Sequence, residues 1–170
     1  MSALAIQASL AAVPSRARQE RLLYALADID FGSVYVEDGA ADGSVTEEWR
    51  LSESGPEAKA FAQVKAVVNL RDSAFPLLIE HLDDARPTQT LFNGKPVPLG
   101  VIALDILSRI IGPNSKVFNL DCAYDGLGAC FNSGYYFRPD ASLAEMSKVK
   151  GKWSRLYRRG AIKFIYPMLW

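Results

Sequence analysis

A short amphipathic segment near the middle of the chain constrains the fold more than any other feature. Between Ser73 and Asp84, four apolar residues recur at helical spacing: Phe75, Leu78, Ile79 and Leu82. They form one stripe, which predicts a helix buried against a neighbour. Ser73 suits the N-cap, and Pro76 lies in the first turn, where its missing N–H costs little. The pattern predicts a helix that packs against the core, and it does not indicate a catalytic or binding site.

Length and composition predict one globular domain, which we place at residues 16–170. The chain has 170 residues, of which 49% are hydrophobic, enough for a sizeable core. Its 19 basic and 19 acidic residues cancel, so the net charge gives no case for nucleic acid or a membrane as a default partner. No run of apolar residues is long enough to predict a transmembrane helix.

The first 15 residues have two interpretations. Met1 to Val13 carries no charge and is rich in Ala and Leu, as in the apolar part of a secretion signal. The basic leader of such a signal is missing. Either the true start lies upstream of Met1 and residues 1–15 are the remnant of a signal, or the segment is an N-terminal helix.

The two cysteines, Cys122 and Cys130, lie in a Gly-rich loop. With His81 as the single histidine, they supply too few ligands for zinc, and their spacing is wider than that of a redox Cys-x-x-Cys motif. A disulfide fits better and indicates an oxidising compartment, so we expect a periplasmic or secreted protein. The alternative is a pair of buried thiols in a cytoplasmic protein.

The hydrophobic pattern predicts a mainly α fold, a compact stack of about five to six helices with one small β-hairpin and a long Gly/aromatic loop. Asn93-Gly94 between β-prone arms predicts the hairpin, within residues 90–97. Asp105 and Arg109 are spaced to pair on the polar side of their helix. The predicted helices cover residues 16–30, 55–70, 73–84, 99–111, 141–148 and 152–159, and the loop covers residues 113–139.

Residues 56–83 resemble one HEAT-type helical hairpin. The resemblance rests on a capped helix of about four turns, the two-residue break Arg71-Asp72, and a second helix that opens Ala-Phe-Pro-Leu-Leu-Ile and closes Leu-Asp-Asp. The helix at 99–111 could extend it. Only one good unit is present, whereas a solenoid needs about three or more repeats. The resemblance implies a helical stack used for protein contact and no catalytic residues.

Charge is unevenly distributed along the chain. Residues 28–57 contain one base, Arg50, and many acids: Asp28, Asp30, Glu37, Asp38, Asp42, Glu47, Glu48, Glu53 and Glu57. Residues 148–163 contain no acid and many bases: Lys148, Lys150, Lys152, Arg155, Arg158, Arg159 and Lys163. Either the two segments face each other, or the basic one meets an external anionic partner.

Two sets of residues are candidates for an interaction surface. On the last helix, Trp153, Leu156 and Tyr157 share one face, which suits a core, so the bases Arg155, Arg158 and Arg159 fall on the solvent side. Bases interleaved with aromatics could also bind nucleic acid. The second set is five loop aromatics, which could form a recognition surface or plug the end of the helical stack: Tyr124, Phe131, Tyr135, Tyr136 and Phe137.

Catalytic signals are weak. His81 could act as a base with Asp83 or Asp84 as its orienting carboxylate, but a histidine also suits a helix C-terminus. No Gly-x-Ser-x-Gly elbow, P-loop or dinucleotide-binding loop occurs in the sequence. We predict no catalytic, cofactor or metal site.

The sequence as a whole favours a non-enzymatic protein-interaction or scaffold domain that is exported and whose partner is another protein. One alternative is a hydrolase that uses His81 and nearby carboxylates. Another is an immunity-type or inhibitor protein that binds a basic partner through the acidic segment at residues 37–57.

Overall fold

The computed structural model describes residues 14–31, 58–111 and 133–163. Predictions for the first 13 residues, for residues 32–57 with the whole acidic segment, and for residues 112–132 lie outside these ranges. Cys122, Cys130, Tyr124 and Phe131 are among the residues outside, so the disulfide, and with it the predicted export, stays a prediction. Mass measurement with and without reductant would test it.

The described residues are mainly helical, with one small antiparallel sheet, as predicted. Short 3-10 turns at Ala25–Asp28, Arg71–Ser73 and Ser133–Tyr135 connect or flank the main elements. Those elements are α1 (Arg16–Tyr24), α2 (Ala58–Val68), α3 (Ala74–Glu80), β1 (Pro87–Phe92), β2 (Lys95–Pro98), α4 (Leu99–Ile110) and α5 (Leu143–Arg158).

The predicted apolar stripe of α3 lies in the core, between α4 and α5. Phe75, Leu78 and Ile79 of α3 are buried, and so is Leu82 in the turn that follows, which confirms the predicted buried face. The helix itself is shorter than predicted, because it ends at Glu80 and residues 81–83 form a turn. The prediction for Ser73 is wrong. Its backbone is already helical (φ −70°, ψ −17°) and its side chain makes no capping hydrogen bond, because the chain enters α3 from a 3-10 turn rather than from an extended residue.

The helix pairings do not single out the predicted hairpin of α2 and α3. The main neighbours of α3 are α4 and α5, whereas α2 packs mainly against α1 and the 3-10 turn that follows α1. All of these elements share one hydrophobic core. The likeness to a HEAT repeat therefore stays a prediction.

The β-hairpin and α4 agree with their predictions. Asn93 and Gly94 both have positive φ, at 48° and 74°, as a type I′ turn requires, and Phe92 pairs with Lys95 across it. The helix that follows is buried over most of its surface. On its polar side, Arg109 Nε donates to Asp105 Oδ2 at 2.7 Å, the predicted i, i+4 pair.

The start of α4 lies directly against the turn after α3. Gly100 N–H donates to the carbonyl of Asp84 at 3.0 Å, and Leu99 N–H donates to the carbonyl of Arg86 at 2.8 Å. A Cβ on Gly100 would lie 2.3 Å from the carbonyl oxygen of Leu82. Glycine at this position is therefore what allows the two segments to approach so closely.

The last helix differs from its prediction, because residues 143–158 form one continuous helix instead of two short ones. Gly151 lies inside it without ending it. Ser142 and Glu145 form a capping box at its start. At its end, Gly160 has a φ of 63°, and Ala161 N–H donates to the carbonyl of Leu156, which makes a Schellman motif.

Candidate interaction surface

One buried aromatic residue fixes how α5 lies on the core. Trp153 is 0% exposed, and its indole Nε1 donates to the backbone carbonyl of Tyr135 at 2.9 Å. The Tyr135 ring meets the indole edge to face, with centroids 6.0 Å apart. Met146, Val149 and Leu156 complete the buried side of the helix. These contacts decide which residues of α5 point to solvent.

Four bases occupy one line along the outer side of α5. Lys148, Lys152 and Arg155 of α5 and its C-cap residue Arg159 follow one another at steps of four, three and four residues, so they share one face. We call these four residues the basic stripe. It is about 16 Å long, given the rise of an α-helix. Three of its members are exposed and Lys152 is half-buried.

The stripe has few contacts within the described part of the chain. Lys152 Nζ lies 5.7 Å from the centroid of the Tyr135 ring, a cation–π contact. No stripe residue forms a salt bridge with an acidic residue of the described ranges. The one acid in α5 is Glu145, whose pKa is lowered by hydrogen bonds from Ser142 and, to a smaller extent, by the charge of Lys148.

A fifth base of α5 is already engaged on the opposite flank of the helix. Lys150 Nζ contacts Asp83 Oδ1 at 2.6 Å, and Ser147 Oγ donates to the other oxygen of the same carboxylate at 3.1 Å. These bonds tie α5 to the turn after α3. The contrast separates Lys150, which holds the fold together, from the basic stripe and the exposed Arg158.

The residues predicted to form an interaction surface are also divided between exposed and buried positions. Arg155 and Arg159 belong to the basic stripe, and Arg158 lies beside it, with Nε donating to the carbonyl of Ser154 at 3.3 Å. Tyr135 is half-buried at the edge of the stripe, and Tyr136 is 37% exposed. Phe137 is only 6% exposed and joins the core, which leaves it little surface to offer a partner.

Two stripe residues, Lys148 and Lys152, were missing from the predicted surface. The signal for them was present in the sequence: if residues 143–158 are one helix, both align with Arg155 and Arg159. The predicted break between residues 148 and 152 hid that alignment. Tyr157, predicted on the core side, is 39% exposed, with its ring 6.4 Å from that of Phe75.

His81 lies in a polar cluster that packs against α1. It follows the end of α3 and its side chain is 13% exposed, with Nδ1 3.3 Å from Asp84 Oδ2. The imidazole meets the Tyr24 ring edge on, and the Arg86 guanidinium lies 3.9 Å from the centroid of that same ring. Among the described residues, Nε2 is buried and has no hydrogen-bond partner.

This geometry favours a packing role for His81. The nitrogen that a general base would turn toward a substrate is the buried Nε2, and Asp83, one of its two candidate orienting carboxylates, bonds to Lys150 instead. Asp84 is the carboxylate that contacts the ring, and its other oxygen accepts a bond from Arg86 N–H at 3.0 Å. The contacts therefore organise the turn before β1.

The described ranges contain no group of three or more His, Cys, Asp or Glu side chains placed to hold a metal ion. None of the helices described there is long and apolar enough to cross a membrane.

Comparison of the chain with protein-family models, with curated proteins and with solved structures found no match in any of the three.

Proposed function

We propose that this protein is a non-enzymatic interaction domain that binds an acidic surface of another protein through the basic stripe. The observation that carries the proposal is the alignment of four bases along one outer line of α5, without a salt bridge to any described acid. Like charges at i, i+3 and i, i+4 destabilise a helix by about 0.2–0.5 kcal/mol per pair. An anionic partner would remove that repulsion.

The way α5 is held supports this use of the stripe. The helix is capped at both ends, and Trp153 anchors its inner side. The backbone that carries the four bases is therefore ordered before a partner arrives, which lowers the entropy that binding must offset. The half-buried ring of Tyr135 at the edge of the stripe, with Lys152 above it, adds an amphipathic contact of the kind enriched at protein interfaces.

Charge balance favours a protein over a nucleic acid as the partner. The whole chain carries equal numbers of acidic and basic residues, so its long-range field does not attract a long polyanion. A local acidic patch on a protein needs only the short-range complementarity that the stripe offers.

The proposal can be tested with a labelled glutamate-rich peptide and fluorescence anisotropy on the full chain. We expect binding that weakens as salt is added, because the contacts are between exposed charges. The double variant Lys152→Glu, Arg155→Glu should weaken it by about tenfold or more, since it replaces two attractive pairs with repulsive ones. The matched control is Arg18→Glu, Lys59→Glu, which makes the same change in net charge on exposed positions of α1 and α2.

Three results would overturn the proposal. The first is no detectable binding of the peptide. The second is an equal loss of binding in the two double variants, which would show an effect of net charge alone. A single-stranded oligonucleotide that bound more tightly than the peptide, with the same dependence on the stripe, would replace the protein partner with a nucleic acid.

A further inference from the structure

Gly151 lies in the middle of α5, on its outer side and beside the basic stripe. It follows Lys148 by three residues and precedes Arg155 by four, so it shares their side of the helix. Glycine destabilises a helix interior relative to alanine, because its unfolded backbone has more freedom to lose. Gly151 therefore lowers the stability of α5 relative to alanine at the same position.

Contacts within the described fold do not require a glycine at position 151. A Cβ added to Gly151 would have one neighbour within 4 Å, the Nη1 atom of Arg155 at 3.7 Å, which is an ordinary van der Waals contact at the end of a flexible side chain. The residue is helical and is absent from the positions with positive φ. Gly100 is the opposite case, because a Cβ there would collide with the backbone of Leu82, in the turn after α3.

We propose that the acidic partner is a helix with a row of carboxylates that lies on the basic stripe, and that its backbone contacts α5 at Gly151. This inference rests on the function proposed above. Without a Cβ, α5 presents a shallow notch between Lys148 and Arg155. The absence of side-chain atoms there lets a second backbone come closer than it could over any other residue.

The spacing of the stripe indicates a helical partner. Carboxylates at steps of four, three and four residues on a second helix repeat over about 16 Å, which matches the stripe one to one. In an extended chain, alternate side chains recur about every 6.6 Å and reach about 20 Å after three steps, so they fall out of register with the four bases. A small residue of the partner helix would face the notch.

The test uses two peptides of identical composition on the full chain. In the first, Glu residues recur at i, i+4, i+7 and i+11 in an alanine-rich helix; in the second, the same Glu residues are distributed around the helix. We expect the first to bind more tightly. Gly151→Ala should weaken its binding by about threefold to tenfold, and Gly151→Leu should weaken it further, because each blocks the close approach.

Stability measurements separate a binding role from a structural one. Gly151→Ala should raise the Tm by about 1–3 °C, because the substitution improves helix propensity without a clash. Ala62→Leu, a change of bulk at an exposed position of α2, is the control and should leave the binding of both peptides unchanged. A lowered Tm for Gly151→Ala would mean that the glycine serves the fold, and would overturn the inference.

The inference and the proposed function fail in different ways. If Gly151→Ala and Gly151→Leu bind the first peptide as tightly as the unaltered chain, while Lys152→Glu, Arg155→Glu does not, the crossing at Gly151 is wrong and the basic stripe stands. If the charge-reversal variant also binds normally, the proposed function itself is wrong.

Discussion

The helices α4 and α5, the two longest in the described ranges, show opposite uses of a helix surface. Most residues of α4 are buried, and its first turn lies against the backbone after α3. In α5 only one line of residues is buried, and the opposite side carries bases. Each helix contains a glycine, but neighbouring atoms explain only the one in α4. The side of α5 that does not contact the core is therefore the surface available to bind a partner.

The largest effect should come from the anchor of α5. Trp153→Ala removes a fully buried side chain and leaves the carbonyl of Tyr135 without its indole donor. We expect the free energy of unfolding to fall by about 3–5 kcal/mol in urea titrations followed by circular dichroism. Tyr157→Ala, at a partly exposed neighbouring position, is the control. An equally small loss for both variants would show that α5 is not anchored as described.

The next effect contrasts the two glycines directly. Gly100→Ala should lower the free energy of unfolding by about 1–3 kcal/mol, because the new Cβ would overlap the Leu82 carbonyl and the end of the Met146 side chain. Gly151→Ala should raise it by about 0.5–1 kcal/mol. Denaturant midpoints measured side by side test the pair. If both substitutions changed stability in the same direction, the distinction between the two helices would not hold.

An acid in α4 should make stability depend on pH in one direction. Burial raises the pKa of Asp105, and the neighbouring Arg109 offsets part of that rise. A carboxyl group whose pKa is raised by folding contributes most below its unfolded-state pKa, and this contribution is lost as pH rises through the folded-state pKa. Asp105→Asn should therefore gain stability relative to the unaltered chain as the solution goes from acidic to neutral. A pH-independent difference would contradict this.

Glu145 in α5 should make stability depend on pH in the opposite direction to Asp105, and more weakly. The hydrogen bonds from Ser142 lower the pKa of Glu145, so its capping contribution is present above the unfolded-state pKa and is lost as pH falls through the folded-state pKa. Glu145→Gln should shift the Tm little, and the shift should be larger at neutral than at acidic pH. A larger loss at acidic pH would show that the carboxylate does not stabilise the cap.

Several local features could be predicted because their physics is local. The bounds of α4, the type I′ turn at Asn93-Gly94 and the Asp105–Arg109 pair each depend on residues within about four positions of one another. The apolar stripe of α3 identified its buried face for the same reason. In each case a short pattern admits one favourable conformation.

The prediction for α5 failed because a local rule was weaker than a tertiary contact. A glycine in a helix interior costs about 1 kcal/mol, which the burial of Trp153 exceeds severalfold. Gly151 therefore does not end the helix, and the four bases of the stripe come into line. The Ser73 cap failed in a related way, because the segment before α3 is itself helical.

The sequence by itself determined the helical class, the hairpin and the apolar faces, because periodicity and turn chemistry act within a few residues. Only the tertiary structure decided which bases are used by the fold and which face outward. Lys150 and Lys152 are two residues apart, yet one bonds to Asp83 and the other lies over Tyr135. That difference arises from contacts between residues far apart in the chain, which no local pattern specifies.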